Sequence, residues 1–237
     1  ALRRAFSPAR AASAMVRYRL YRSAVACSGG PVAEALTRQL LLSPLCSEVV
    51  AVGQIDRREF ESLQVSNKLR DFGQETSPAA GTESTKALDN LSGVHAAFCV
   101  LGNGRWAQPP DMGRAKSFME LCKSAAVPHV TLLSSCWANT SSRAESARKH
   151  AEIADLFASA GFQRLSIFRP SLILRDGVAI PAEDAGMAEK VYSTAFPIAR
   201  QFMSSSYREV SLDDIVLAMR LNTELCDSPD KVEKLDF

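Results

Sequence analysis

The sequence predicts an α/β fold built on a doubly wound parallel sheet, and three observations carry that prediction. Five short apolar runs and one weaker, more polar stretch alternate with stretches of helical periodicity. The runs are almost continuously apolar, as expected of strands buried on both faces. Glycine, proline and serine follow most runs, where strands hand over to turns and helices. Right-handed crossovers then favour the strand order 3-2-1-4-5-6. The 237 residues suffice for a single domain with a sizeable core, and no linker divides them.

The elements follow in order. Residues 23–27 (SAVAC) form the first strand, which stops at Ser28-Gly29-Gly30-Pro31. Val32, Leu36 and Leu40 recur at helical spacing, and Pro31 suits the first turn of their helix. Residues 48–53 (EVVAVG) are the second strand and 66–72 a weaker third. Residues 73–85 read as a loop by composition, and 87–91 as a short helix. Residues 95–101 (HAAFCVL) are the fourth strand, followed by a helix over 113–126 that stops before Pro128. Residues 129–133 are the fifth strand and run into Ser134-Ser135; a helix over 144–160 ends at Gly161. Residues 165–168 are the sixth strand, closed by Arg169-Pro170. The stretch 175–210, with Pro181 and Pro197, is irregular and suits a cover over a cleft. A late helix over 211–221 takes Ser211 as its N-cap, with Asp213 and Asp214 in its first turn.

Charge divides the chain into residues 1–22, a basic extension, and a body over 23–237. The extension holds Arg3, Arg4, Arg10, Arg17, Arg19 and Arg22 and no acid. Without those six arginines, 22 basic residues face 26 acids, so the body is about −4. An acidic body is not a DNA-binding surface; the extension alone suits RNA, anionic lipid or an acidic partner. Its Arg, Ala and Ser content matches an organellar transit peptide, which predicts a mitochondrial, matrix-side location, with a basic tail of a cytosolic protein or a plastid address as the alternatives. No apolar run approaches the length of a membrane-spanning helix. The six cysteines include no C-x-x-C pair and read as small buried hydrophobes. The three histidines lack ligand spacing, so no metal site is expected.

Glycines after a first strand allow a tight turn and let the backbone approach a pyrophosphate at a helix N-terminus. The strand FCVLG (98–102), the run HVTLLSS (129–135), the segment SIFRPSLIL (166–174) and the helix VSLDDIVLAM (210–219) together resemble the atypical short-chain dehydrogenases. The similarity is to the branch of the Tat-interacting oxidoreductase, and it spans roughly residues 23–221. The resemblance implies a Rossmann-like NAD(P) site at Ser28, Gly29, Gly30, Leu101, Ser134 and Pro170, and a catalytic serine at Ser135. The pattern is degenerate. Where that branch has G-A-S-G-x-T-G, this chain has Ala26-Cys27-Ser28-Gly29-Gly30-Pro31-Val32. A β-branched Val32 is expected to press into the pyrophosphate site or shift the helix. After the second strand the branch's two arginines are replaced by Gln54-Ile55, with Asp56 close by and Arg57 and Arg58 downstream.

The family's proton-transfer pair, Tyr-x-x-x-Lys, is absent. Tyr18, Tyr21, Tyr192 and Tyr207 are followed four residues later by Arg22, Val25, Phe196 and Ser211. Aligned through Ser141-Ser142, the tyrosine position is Ser146 and the lysine position His150; a slip of one residue gives Glu145 and Lys149. Ser146 and His150 are expected to be solvated helix residues. These losses predict a pseudoenzyme, an accessory subunit among the other protein subunits of a mitochondrial assembly. A respiratory complex is the favoured host, then the ATP synthase or the mitochondrial ribosome. No cofactor is then required, although residual NAD(P) binding is compatible. The alternatives are an NAD(P)H-dependent oxidoreductase with an unusual proton donor, or a module that senses NAD(P) without turnover.

Overall fold

The computed structural model describes residues 20–27, 30–53, 56, 58–71, 91–100, 109–175, 178–179, 209–226 and 231–237. The first half of the chain gives β1 (Tyr21–Cys27), α1 (Pro31–Leu42), β2 (Cys46–Gly53), α2 (Arg58–Glu61), β3 (Leu69–Asp71) and β4 (Ala96–Val100). The second half gives α3 (Met112–Ser124), β5 (His129–Leu133), α4 (Glu145–Ser159) and β6 (Arg164–Arg169). It closes with β7 (Ile173–Arg175), β8 (Val178–Ala179), β9 (Val210–Ser211), α5 (Leu212–Leu225) and β10 (Val232–Asp236).

Seven strands form one parallel sheet in the order β10-β6-β5-β4-β1-β2-β3. The predicted 3-2-1-4-5-6 order is therefore present, with one strand added beyond the sixth. This is a Rossmann-like α/β domain. A second, three-stranded sheet pairs β7 with β8 antiparallel and with β9 parallel.

Two apolar layers cover the sheet. On one face Val25, Phe98 and Phe168 pack with Val32, Leu36 and Leu40 of α1 and Ile215 and Met219 of α5. On the other, Ala24, Ala97 and Ile167 pack with Phe118 and Cys122 of α3 and Ile153 and Phe157 of α4. Each large side chain buried in this way contributes roughly 1.5–3 kcal/mol. Burial on both faces explains why the central strands read as unbroken apolar runs.

The helix signals are met locally. Asp111 caps α3 by accepting from the Arg114 N–H at 3.0 Å, and Ser211 caps α5 by accepting from the Asp214 N–H at 3.0 Å. The strand expected at 23–27 begins two residues earlier, because Tyr21 pairs with Cys46 and is itself buried. The helix expected at 87–91 lies, Leu91 apart, outside the described residues, as do the loop 73–85 and most of 175–210.

The added strand, β10, is the main departure from the sequence reading. Its segment VEKLD alternates in exposure, as an edge strand does. It is fastened to β6 by the Leu165 N–H donating to the Lys231 carbonyl at 2.7 Å. The Phe237 ring stacks on Phe168 with centroids 5.5 Å apart.

Candidate functional site

The sheet reverses its strand order between β1 and β4, so the crevice of the fold opens at their carboxyl ends. Gly30 stands at this edge, before α1. Its φ of 100° lies where only glycine rests without strain. Pro31 occupies N1 of α1, where the backbone donor it lacks has no helical partner in any case.

Val32 does not press into the crevice as expected. It is fully buried, packed beneath α1 with Val25 and Leu36, so the branched side chain serves the core. Ala26 is buried in the opposite layer. Ser28, Gly29 and Leu101 lie outside the described residues.

Beyond β2 the edge gathers three carboxylates, with Arg58 and Arg175 beside them. Burial raises the Glu34 carboxyl above its ordinary range, and the charges of Glu59 and Asp56 raise it further, while Arg175 and the Gly30 N–H oppose them. Three acids, from α1, α2 and the loop between β2 and α2, thus share one neighbourhood.

At the end of β5, Ser134 and Ser135 are both buried. The Ser134 N–H donates to the Phe168 carbonyl at 2.8 Å, but its hydroxyl has no hydrogen-bond partner among the described residues. Such a group costs about 1–3 kcal/mol unless something satisfies it. A ligand group bound at this edge would do so, and in this respect the residues fit a dinucleotide. The Ser135 hydroxyl accepts from the Trp137 N–H at 3.2 Å.

Arg169, which the sequence showed only as the end of a strand, organises this turn. Its Nε donates to the Ser135 carbonyl at 3.4 Å and its Nη2 to the Cys136 carbonyl at 3.2 Å. Its Nη1 lies 3.5 Å from Asp236 of β10. Buried Pro170 accepts from the Cys136 N–H at 3.0 Å. Burial pushes the Cys136 thiol up to about 11, so it is not a ready nucleophile. No local signal in the sequence points to the Arg169–Asp236 pair, since its members are 67 positions apart.

The helix positions also depart from expectation. Ser146 is 6% exposed rather than solvated, and His150 is half-buried. The loop 134–144 folds back on the first turn of α4, where the Asn139 N–H donates to the Ala147 carbonyl at 3.1 Å, and this buries the inner face. Burial lowers His150 to about 4, so its imidazole is neutral near pH 7. The other register, Glu145 with Lys149, is an ion pair of 2.9 Å on the more exposed side. Among the described residues no group of His, Cys, Asp or Glu is placed to hold a metal.

No protein-family profile matches this chain, and no curated protein matches it. Solved structures do match. The UDP-N-acetylglucosamine 4-epimerase from Methanobrevibacter ruminantium M1 superposes with a TM-score of 0.61 at 13% identity, over 92% of this chain and 77% of its own. The UDP-Glc/GlcNAc 4-epimerase from Campylobacter jejuni gives 0.60 at 12% identity, over 92% and 78%. A UDP-glucuronic acid 4-epimerase variant from Bacillus cereus, solved with NAD, gives 0.59 at 10% identity, over 91% and 77%. What this chain shares with them is the Rossmann-like fold. At these identities the likeness is one of architecture, and it leaves the chemistry to the residues of this chain.

Proposed function

We propose that this chain is an NAD(P)-binding protein of the oxidoreductase type, seating a dinucleotide across the carboxyl ends of β1 and β4. The observation that carries the reading is the buried, unpartnered Ser134 hydroxyl at the edge where such a fold takes its cofactor. The positive-φ Gly30 before α1 supports it, because it brings backbone close to where a pyrophosphate would lie. The acidic neighbourhood of Glu34, Asp56 and Glu59 disfavours a 2′-phosphate and so favours NAD over NADP.

Turnover is a separate matter. With Tyr-x-x-x-Lys absent, Ser135 can orient a carbonyl but not protonate it. A tuned proton donor typically contributes ~10²–10⁴-fold, and that factor is missing here. The protein then acts as a slow reductase or as a sensor that binds without turnover. Calorimetric titration with NADH and NADPH tests this: tighter binding of NADH is expected, and no binding of either would overturn the reading.

A second reading has its own observation. Five arginines and no acid in residues 1–20, ahead of β1, together with Ala26, Ser146 and His150 at positions where the motifs differ, suit a catalytically silent accessory subunit of a mitochondrial assembly. The apolar anchors Leu2, Phe6, Val16 and Tyr18 would then meet neighbouring subunits. Migration of the endogenous protein on a native gel only at its own mass would remove this reading.

A further inference from the structure

We infer that β10 is a strap that sets the geometry of the Ser135 turn, and through it dinucleotide affinity, with Asp236 as its positioning residue. The effect on affinity rests on the proposed dinucleotide reading; the effect on the turn does not.

Strand β10 grips β6 at both ends and from both faces. Glu233 and Asp236 are three positions apart, so they project from opposite faces of the strand. On the face covered by α5, Glu233 lies 3.6 Å from Arg164 and accepts from the Asn222 amide at 3.3 Å. Leu235 and Phe237 pack into the same layer, and Phe237 stacks on Phe168. On the opposite face Asp236 lies 3.5 Å from Nη1 of Arg169, its partner in the strand register. Strand β6 thus begins and ends on an arginine, and β10 supplies a carboxylate to each.

The grip is light. The residues of β10 are at most partly buried, and the Asp236 side chain is 50% exposed. A strand held in this way opens at lower cost than strands between buried neighbours. Its seating nevertheless reaches the turn. The guanidinium that gives Nη1 to Asp236 gives Nε and Nη2 to the carbonyls of Ser135 and Cys136. Because a guanidinium is a rigid planar fork, fixing one nitrogen orients the other two. The Cys136 thiol feels both charges: burial raises it first, then Arg169 lowers it and Asp236 raises it. The turn leaves β5 beside Ser134, whose buried hydroxyl has no partner among the described residues and carries the proposed site.

The test follows backbone amide exchange by mass spectrometry and NADH binding by calorimetry on the full chain. It compares the parent with Asp236→Asn, Asp236→Glu and Lys234→Gln, the last removing a charge from the same strand outside these contacts. Asp236→Asn should quicken exchange at Cys136 and Trp137 about two- to fivefold, the worth of a part-exposed ion pair. It should leave the amides of α1 unchanged and weaken NADH binding by a similar factor. Asp236→Glu should restore both to within about twofold of the parent, and Lys234→Gln should match the parent. In ~1 M potassium chloride the parent should approach Asp236→Asn, which should itself respond little, because screening at that ionic strength sets in within ~3 Å. Unchanged exchange in Asp236→Asn, or equal quickening in Lys234→Gln, overturns the inference. Quickened exchange with unchanged NADH affinity overturns the link from the turn to the site. If the parent does not bind NADH, the dinucleotide reading fails, and exchange at Cys136 and Trp137 alone decides whether β10 holds the turn.

Discussion

The two edges of the sheet are built differently. At the amino edge, most polar side chains pair with one another, although the buried Arg164 Nε has no partner among the described residues. Arg22 and Arg70 both pair with Glu48, and Arg22 also bonds the Ser92 carbonyl. The Glu224 carboxylate, 5% exposed, accepts from the Tyr21 and Ser43 hydroxyls and pairs with Arg220. Lys68 closes the end of α1 on the carbonyls of Leu41 and Ser43. Arg164 reaches Asn222, Glu233 and the Cys226 carbonyl. At the carboxyl edge, Ser134 keeps an unused hydroxyl, Trp137 stands half in solvent, and three acids crowd α1. The first edge spends its polar groups on the fold. The second keeps a buried hydroxyl without a partner among the described residues, and this is why the binding site is proposed there.

That contrast can be broken most forcefully with acid. His129, at the start of β5, is held at about 3, first by burial and then by the charge of Arg164, with its Nε2 3.1 Å from the Ser166 hydroxyl. Its folded value is depressed below the ordinary 6.5. The unfolded state therefore binds the proton first, and stability present above pH 6.5 is lost as pH falls towards 3. By pH 4 this loss should reach on the order of 3 kcal/mol. In denaturant titrations across that window, His129→Asn should flatten the slope clearly. An unchanged slope would show that the histidine is not buried neutral.

The next largest effect should come from Glu224→Ala, which leaves Arg220 with Gln39 alone and takes the acceptor from two hydroxyls. Breaking a buried pair of this kind costs about 3 kcal/mol. Chemical melts should show the loss while NADH affinity per folded molecule stays unchanged. A variant as stable as the parent would mean that the amino-edge network is decoration.

Arg169→Gln probes the frame of the carboxyl edge. It removes a charge-assisted donor from two carbonyls and should cost about 1–2 kcal/mol. Its clearer sign should be faster amide exchange at Cys136 and Trp137, followed by mass spectrometry. If exchange there is unchanged, the turn is held by other contacts.

The smallest stability effect should be at Ser134. Removing a buried hydroxyl that has no partner should leave stability the same or slightly higher. NADH affinity should fall by about two- to tenfold, the worth of one hydrogen bond. A Ser134→Ala protein that is much less stable and binds NADH as well as the parent would place the hydroxyl in the fold and not in the site.

The sequence by itself determined what depends on neighbours along the chain. Apolar runs and helical periodicity located the central strands and the four longer helices. Pro31, Ser211 and the strand order followed from local stereochemistry and handedness. The absence of Tyr-x-x-x-Lys was also legible, because both members lie within one helical turn. Only the tertiary structure decided the rest. Strand β10 is short and half polar, and it is a strand because β6 offers it an edge. Val32 faces the core rather than the crevice because its side of α1 packs on the sheet, and Ser146 is buried where a loop folds back on its helix. Arg169 becomes the clamp of the Ser135 turn only when β10 brings Asp236 to it. Those facts rest on partners tens of residues away, and no local period in the chain encodes which partner arrives.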